Sequence, residues 1–436
     1  MKKFLIIAST FIMTVLLTSC GQTVGSDNDV SEVAGSTVTS ITSASSTVLT
    51  SATTTVTTGV SKKTADKNPP DSAFITTVDA VEVYSEITVS DLIADTNTEI
   101  SEADILVDTS EIGEKQIKVV FSYEGGTYEK NIFYTVVDTT EPLVLNSGWN
   151  PYTKVGEPFD INSIIGFVDN YDRSPTVTYT GTVDNTTVGS YPITVTISDN
   201  SGNSTSWDMT VFVMNEIPKP EDNNTRVEFS DFMEYYNYEN VSYGIDVSAW
   251  QTNVDYEAVK AEGVEFVLIR MGYCYNEIQL DDYYFRNIEN ADNAGLDIGV
   301  YFYTTANTEE KAREQAKWIV SQLDGRELDF PVAFDWEEWG SFQKYNMNIH
   351  DLNEVFYAFC DELEKSGYSG MLYSSKNFLD NFWENKINRP VWLAHYVDET
   401  NYTGAFAIWQ ASAYGRISGI SGDVDMNIRI NDMPLD

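Results

Sequence analysis

From Ser242 onward the chain alternates between short apolar runs and stretches with helical spacing. That alternation restricts this half of the chain to repeated strand–helix units, in which successive strands run parallel. Apolar runs predict strands over 242–247, 264–271, 298–303, 330–334, 371–373, 391–394, 406–410 and 424–428. Helices are predicted over 255–262 and over 283–294, the second stopped by Gly295. A further helix follows Asn307 as cap, with Glu310 at its third position and Ala312, Ala316, Val320 and Leu323 on one face. Another carries Leu352, Val355, Phe356, Phe359 and Leu363 and ends at Gly367. Little room remains for helices between the last strands. Eight strands suggest a closed barrel, and missing late helices explain why about 190 residues suffice.

In such a barrel, sites form at the C-terminal ends of the strands. Acids occupy several of these predicted ends: Asp246 on the first strand, Asp335 with Glu337 on the fourth, and Asp425 near the last. Asp335 and Glu337 stand two residues apart in Phe334-Asp335-Trp336-Glu337. A strand places such side chains on one face, about 6.6 Å apart along the chain. Two carboxylates on one face oppose each other's ionisation, so one tends to keep its proton. A protonated acid beside a charged one is the equipment for cleaving a glycosidic bond. The first and last strands of a closed barrel are neighbours and the fourth faces them, so these four acids are expected to line one cleft.

The N-terminal half reads differently. Residues 72–216 contain two copies of one unit: Val107-Asp108-Thr109-Ser110-Glu111-Ile112-Gly113 matches Val183-Asp184-Asn185-Thr186-Thr187-Val188-Gly189. Each match is followed by period-two apolar sequence, through Ile117, Val119 and Phe121 in one copy and Ile193, Val195 and Ile197 in the other. This predicts half-buried antiparallel strands, and Asp199-Asn200-Ser201-Gly202-Asn203 a hairpin turn. The copies, 72–139 and 140–216, are expected to be two small β-sandwiches and resemble bacterial immunoglobulin-like domains of surface proteins. Residues 217–240, opening on Pro218-Lys219-Pro220, read as a linker.

Before these units, residues 20–71 are mostly Ser, Thr, Val, Ala and Gly and cannot bury a core; they read as a flexible tether. Residues 1–19 have the form of a signal peptide: Lys2 and Lys3, then an apolar run from Phe4 to Leu17. Leu17-Thr18-Ser19-Cys20 resembles a bacterial lipobox. The resemblance implies cleavage before Cys20, a lipid on its thiol, and work outside the cytoplasm, anchored to the cell membrane.

A formal net charge of -41, spread without long single-sign runs, excludes charge-driven binding to nucleic acid or to an anionic membrane face. With 42% hydrophobic residues the chain is globular rather than an acidic tail. Three cysteines and two histidines argue against a Cys/His zinc site or a disulfide framework. Cys274 and Cys360 are left open, paired or reduced.

Five blocks of the C-terminal region together resemble the glycoside hydrolase family 25 muramidases: Tyr243-Gly244-Ile245-Asp246-Val247-Ser248-Ala249-Trp250-Gln251, Phe334-Asp335-Trp336-Glu337, Trp392-Leu393-Ala394-His395-Tyr396, Ile408-Trp409-Gln410 and Val424-Asp425-Met426-Asn427. They come in the family's order and span nearly all of 242–431. The resemblance implies an irregular α/β (TIM-like) barrel over 241–436 whose late strands lack helices. It implies hydrolysis of the β-1,4 bond between N-acetylmuramic acid and N-acetylglucosamine in peptidoglycan glycan strands, with no metal or other cofactor. The family's catalytic acids carry over onto Asp246, Asp335, Glu337 and Asp425. Among the aromatic and polar residues near the same strand ends, Tyr303, Trp392, Tyr396 and Gln410 are expected to bind sugar; His395 is expected to be structural. The competing expectation is a surface protein whose barrel binds wall glycan without cleaving it.

Overall fold

In the C-terminal region the apolar runs become a ring of eight strands: β1 (Val241–Val247), β2 (Phe266–Cys274), β3 (Asp297–Thr304), β4 (Val332–Trp336), β5 (Gly370–Ser375), β6 (Val391–Ala394), β7 (Ile408–Arg416) and β8 (Val424–Ile430). The structure is a computed structural model describing residues 68–435 apart from 146, 147, 149, 220, 221 and 384–386. The segment expected to be a signal peptide, Cys20, and the expected tether as far as residue 67 lie outside the described residues.

β1 to β7 pair in chain order, all parallel. β8 closes the ring but runs antiparallel to both β7 and β1, which corrects the expectation of parallel strands throughout. The cause is the connection between β7 and β8: seven residues, 417–423, with no helix, are too few for a crossover, so the chain turns back.

The connections before β6 carry helices α1 (Tyr256–Ala261), α2 (Tyr284–Asn293), α3 (Glu309–Leu323), α4 (Ile349–Glu364) and the short α5 (Lys376–Asn381), while those from β6 to β7 and β7 to β8 carry none. The cap of α3 is Thr308, whose hydroxyl accepts the Lys311 N–H, and not Asn307, whose amide reaches the Tyr345 carbonyl.

Strand alternation divides the packing. Val267, Ile269, Val300, Phe302, Phe334 and Trp336 face outward onto the helices, and Phe266, Leu268, Ala333, Met371, Trp392 and Ile408 fill the inside. Gly299 makes that filling possible, since a Cβ there would lie 2.5 Å from Leu268 Cδ2 and 2.8 Å from Phe330 Cβ.

The segment expected to be linker ends early. Val227–Glu228 pairs with β7, and the helix Phe229–Tyr235 buries Phe229 and Phe232 in the core of the C-terminal region. The cause is apolar spacing: Phe229, Phe232 and Tyr236 share one helical face.

The two N-terminal units have the same sheet order. In the first, Glu99–Ile100, Gly113–Tyr123, Gly126–Val137 and Val81–Glu82 lie side by side; in the second, Thr176–Gly181, Gly189–Ser198, Ser204–Met214 and Tyr152–Lys154 do so. Each adds a two-stranded sheet, Ile75–Thr77 with Ile93–Thr96 and Leu143–Val144 with Phe167–Val168. The repeated motif builds the same turn twice: Asp108 Oδ1 accepts from Ser110 N at 3.0 Å, and Asp184 Oδ1 from Thr186 N at 2.9 Å. Cys274 and Cys360 are both free and buried. Among the described residues no helix is long and apolar enough to cross a membrane.

Candidate active site

Asp246 closes on the C-terminal end of β1 and is 4% exposed; its inward direction follows from alternation with Ile245 and Val247, which face outward. Asp425 is the second residue of β8. Because β8 is reversed, its beginning lies at the rim where the other strands end, and Asp425 stands directly opposite Asp246. Directly opposed side chains on neighbouring strands lie on the same face, with Cβ atoms about 4.5–5.5 Å apart.

Asp246 Oδ2 accepts two hydrogen bonds, from Gln410 Nε2 at 2.9 Å and Asn427 Nδ2 at 2.8 Å. Burial raises it, while these amides and a hydrogen bond with Asp425 favour its charged form. Asp425 is raised well above the usual carboxylate range by burial and then by the adjoining Asp246 charge. A single proton shared by the two opposed carboxylates relieves the repulsion of two buried charges.

Across the ring, Asp335 is 6% exposed, and its Oδ1 is buried without a hydrogen-bond partner. Burial holds its carboxyl well above the usual range, and the Glu337 and Asp246 charges add to this. Arg270 opposes the shift, but its guanidinium is engaged by Asp281 at 2.7 Å.

Glu337 follows β4 and is partly exposed. Burial, then the charges of Glu338 and Asp246, push its carboxyl up to about 7. Each of the four acids thus feels at least one acid from a different strand, which brings the expected group together at one rim. An acid near neutrality beside buried carboxylates can deliver a proton to a leaving oxygen while a neighbouring anion faces developing positive charge.

Two of the expected sugar contacts are corrected. Trp392 is 1% exposed, sits inside the barrel, and donates its indole N–H to Asn427 Oδ1 at 2.8 Å, so no ring face is open to a sugar. Gln410 is 2% exposed and bonded at both polar atoms: Oε1 accepts the Tyr373 and Tyr396 hydroxyls at 2.9 and 2.7 Å while Nε2 donates to Asp246. Both positions are strand interiors, so the pleat turns them into the ring. Tyr303 and Tyr396 are half-buried at the rim. His395 Nδ1 pairs with the Thr400 hydroxyl at 2.8 Å.

Four residues take places that sequence reasoning did not assign. Asn427 bridges Trp392 and Asp246. Glu338 is held by the Tyr303, Tyr345 and Ser341 hydroxyls at 3.1, 3.2 and 3.0 Å. Trp250, 82% exposed, and Tyr275, 60% exposed, follow the C-terminal ends of β1 and β2. Open aromatic faces at a site rim are the exposed apolar surface that asks for a ligand. Trp250, Glu338 and Asn427 each lie within or beside a quoted block, and the signal was their position at a strand end.

Residues 245–420 match the family described as glycosyl hydrolases family 25. The autolytic lysozyme of Clostridium acetobutylicum is 32% identical over 188 residues, 42% of this chain and 54% of that protein. Lysozyme M1 of Streptomyces globisporus is 29% identical over 203 residues, 42% of this chain and 66% of that protein. A family 25 glycosyl hydrolase structure from Bacillus anthracis is 19% identical, covers 44% of this chain and 90% of its own, and superposes with a TM-score of 0.40. The chain spans about half the length of the clostridial relative, 54%.

Proposed function

We propose that the C-terminal region, a family 25 glycosyl hydrolase domain, hydrolyses the β-1,4 bond between N-acetylmuramic acid and N-acetylglucosamine in peptidoglycan. The observation that carries this reading is Glu337, pushed up to about 7 at a rim shared with Asp335, Asp246 and Asp425. Glu337 is the general acid that protonates the leaving oxygen. Asp335 stabilises the positive charge that grows at the sugar ring, directly or by holding the muramyl acetamido group for attack. Asp246 and Asp425, with one proton between them, fix the field around Glu337 and hydrogen-bond the sugar. Trp250, Tyr275, Tyr303 and Tyr396 flank the glycan. Two relatives carry lysozyme names, which supports this substrate class.

The rest of the chain serves delivery. The units at 72–139 and 140–216 are immunoglobulin-like spacers, residues 20–71 a tether, and Cys20 the lipidated anchor that places the TIM-like barrel outside the cytoplasm.

Mass spectrometry of fragments released from purified peptidoglycan by the full chain tests the assignment. Muramic acid at the new reducing ends is expected. Glucosamine at those ends overturns the bond assignment, and no released fragment favours a glycan binder.

Activity is expected to fall about tenfold per pH unit on the alkaline side of about 7, where Glu337 loses its proton. Glu338→Gln removes a charge that disfavours this ionisation, so the alkaline limb of its kcat/KM profile moves to lower pH. An unmoved limb would assign the limb to another group. Trp250→Ala removes an exposed stacking face and is expected to raise KM for glycan fragments about 10-fold, roughly one stacked ring, with kcat nearly unchanged in steady-state assays.

A further inference from the structure

A second acidic cluster lies far from the barrel rim. Asp138 directly follows the strand Gly126–Val137 of the first unit. Asp169 follows Phe167–Val168, and Asp199 follows Gly189–Ser198, both in the second. The three are 7%, 0% and 9% exposed, and one ligand oxygen from each lies within 4.8 Å of the others. Among the described residues none of the three carboxylates is ion-paired.

Their hydrogen bonds hold them in place without using them up. Asp169 Oδ1 accepts the Tyr171 and Asp172 N–H groups at 2.9 and 2.6 Å. Asp199 Oδ1 accepts Gly202 and Asn203 N–H at 2.6 and 2.8 Å, and Asp199 Oδ2 accepts Asn203 Nδ2 at 2.7 Å. Asp138 Oδ1 takes Thr140 N–H at 3.3 Å. The second oxygens of Asp138 and Asp169 are buried with no partner, and so is Oδ1 of Asn170, a neutral side chain beside Asp138. A fully buried carboxylate with an unpartnered oxygen, and with two further buried carboxylates within 4.8 Å, is a ligand set, since buried charges are paired or coordinate metals.

We infer that Asp138, Asp169, Asp199 and Asn170 bind one calcium ion, which ties the two N-terminal units together and stiffens the loop that docks on the hydrolase domain. The donors are all oxygen, as a hard cation requires. Calcium accepts such a set of carboxylate and amide oxygens in flexible geometry, whereas magnesium usually keeps several of its waters and is seldom held by an all-protein cage.

The loop carrying two of the ligands is also the docking loop. The Asp169 carbonyl accepts Ile349 N–H at the start of α4, and the Tyr171 carbonyl accepts Asn348 Nδ2 at 2.7 Å. Arg173 makes two bonds to Asp351, at 2.6 and 2.7 Å. Tyr84 of the first unit stacks on His350 with ring centroids 3.7 Å apart. The Asp138 carbonyl accepts Asn203 Nδ2 at 3.1 Å, so one bond already spans the two units beside the ion.

The test uses the full chain, stripped with EDTA and dialysed. Calorimetric titration with calcium chloride is expected to show one site per chain, with a Kd in the range of about 10⁻⁶–10⁻³ M. Saturating calcium is expected to raise the Tm by about 4–8 °C over EDTA. Asp169→Asn and Asp138→Asn are expected to abolish both the binding heat and the calcium response, while their Tm in EDTA equals or exceeds that of the stripped wild type. A purely structural role would instead lower Tm by the same amount with and without calcium. If either variant fails to fold by circular dichroism, the wild-type titration together with Asp199→Asn decides. No calcium binding by the wild type up to about 10 mM, an equal response to magnesium, or undiminished binding in the folded variants overturns the assignment.

Discussion

Glu337→Gln is expected to lower kcat on peptidoglycan by about 10²–10⁴-fold at pH 6 while leaving the fold intact. The amide keeps the shape of the side chain and cannot give up a proton to the leaving oxygen. The same substitution is expected to make the protein more stable in alkali. The folded-state value of Glu337, about 7, lies above its ordinary 4.5, so the folded protein holds this proton more tightly than the unfolded chain does. Its contribution to stability is complete below about 4.5 and is lost as pH rises through about 7. A glutamine does not ionise, so above pH 7 the variant escapes that loss, on the order of 1–3 kcal/mol. Chemical denaturation at pH 8 and pH 4 separates the effects: a gain at pH 8 that vanishes at pH 4 is expected. Near wild-type lytic activity would remove Glu337 from the mechanism.

That acid was legible in the sequence because its signal is local. A buried strand running into Asp335-Trp336-Glu337 points to both carboxylates, Asp335 on the strand and Glu337 just past its end. The gathering of Asp246 and Asp425 was legible only through closure of the ring, and even then the direction of β8 was not. Strand direction depends on whether the connection is long enough for a crossover, and β7 runs on to Arg416, past the apolar run that marks it, which leaves only the seven residues 417–423. Asp425 reaches the rim by opening a reversed strand, where the sequence alone suggested a residue near a parallel strand's end.

The misplaced sugar contacts share one cause. Trp392 and Gln410 carry the right chemistry for a glycan, but direction in or out of a ring is a matter of parity and register. Their inward turn puts them under the acids, where they hold Asn427 and Asp246 in place. Trp250, by contrast, lies past the end of β1 in a short turn capped by Ser248, where no pleat pulls its indole inward. The acidic junction at Asp138, Asp169 and Asp199 was invisible from sequence for another reason: its members come from two units and meet only through docking.

Asp335→Asn is expected to lower kcat by about 10²–10³-fold with little change in KM, the loss typical of one preorganised electrostatic group. Three features put the effect in the chemical step. Asp335 is 6% exposed, so its charge is poorly screened by water; its Oδ1 has no hydrogen bond to satisfy it; and Arg270, the cation that favours its ionisation, is already engaged by Asp281. Burial disfavours its charge in the resting site, so its anion is worth most when positive charge grows at the sugar beside it. Its partner Glu337 lies two residues on, just past the end of β4, and strand spacing puts such residues about 6.6 Å apart along the backbone, against the roughly 5–5.5 Å between carboxyls of direct-nucleophile enzymes. That spacing favours attack by the muramyl acetamido group, steered by Asp335. Peptidoglycan with unacetylated muramic acid is then expected to resist the wild-type protein about as strongly as acetylated wall resists Asp335→Asn. Rapid cleavage of the unacetylated substrate by the wild type would instead make Asp335 the nucleophile, with a glycosyl-enzyme ester at its carboxylate for intact-mass measurement to find.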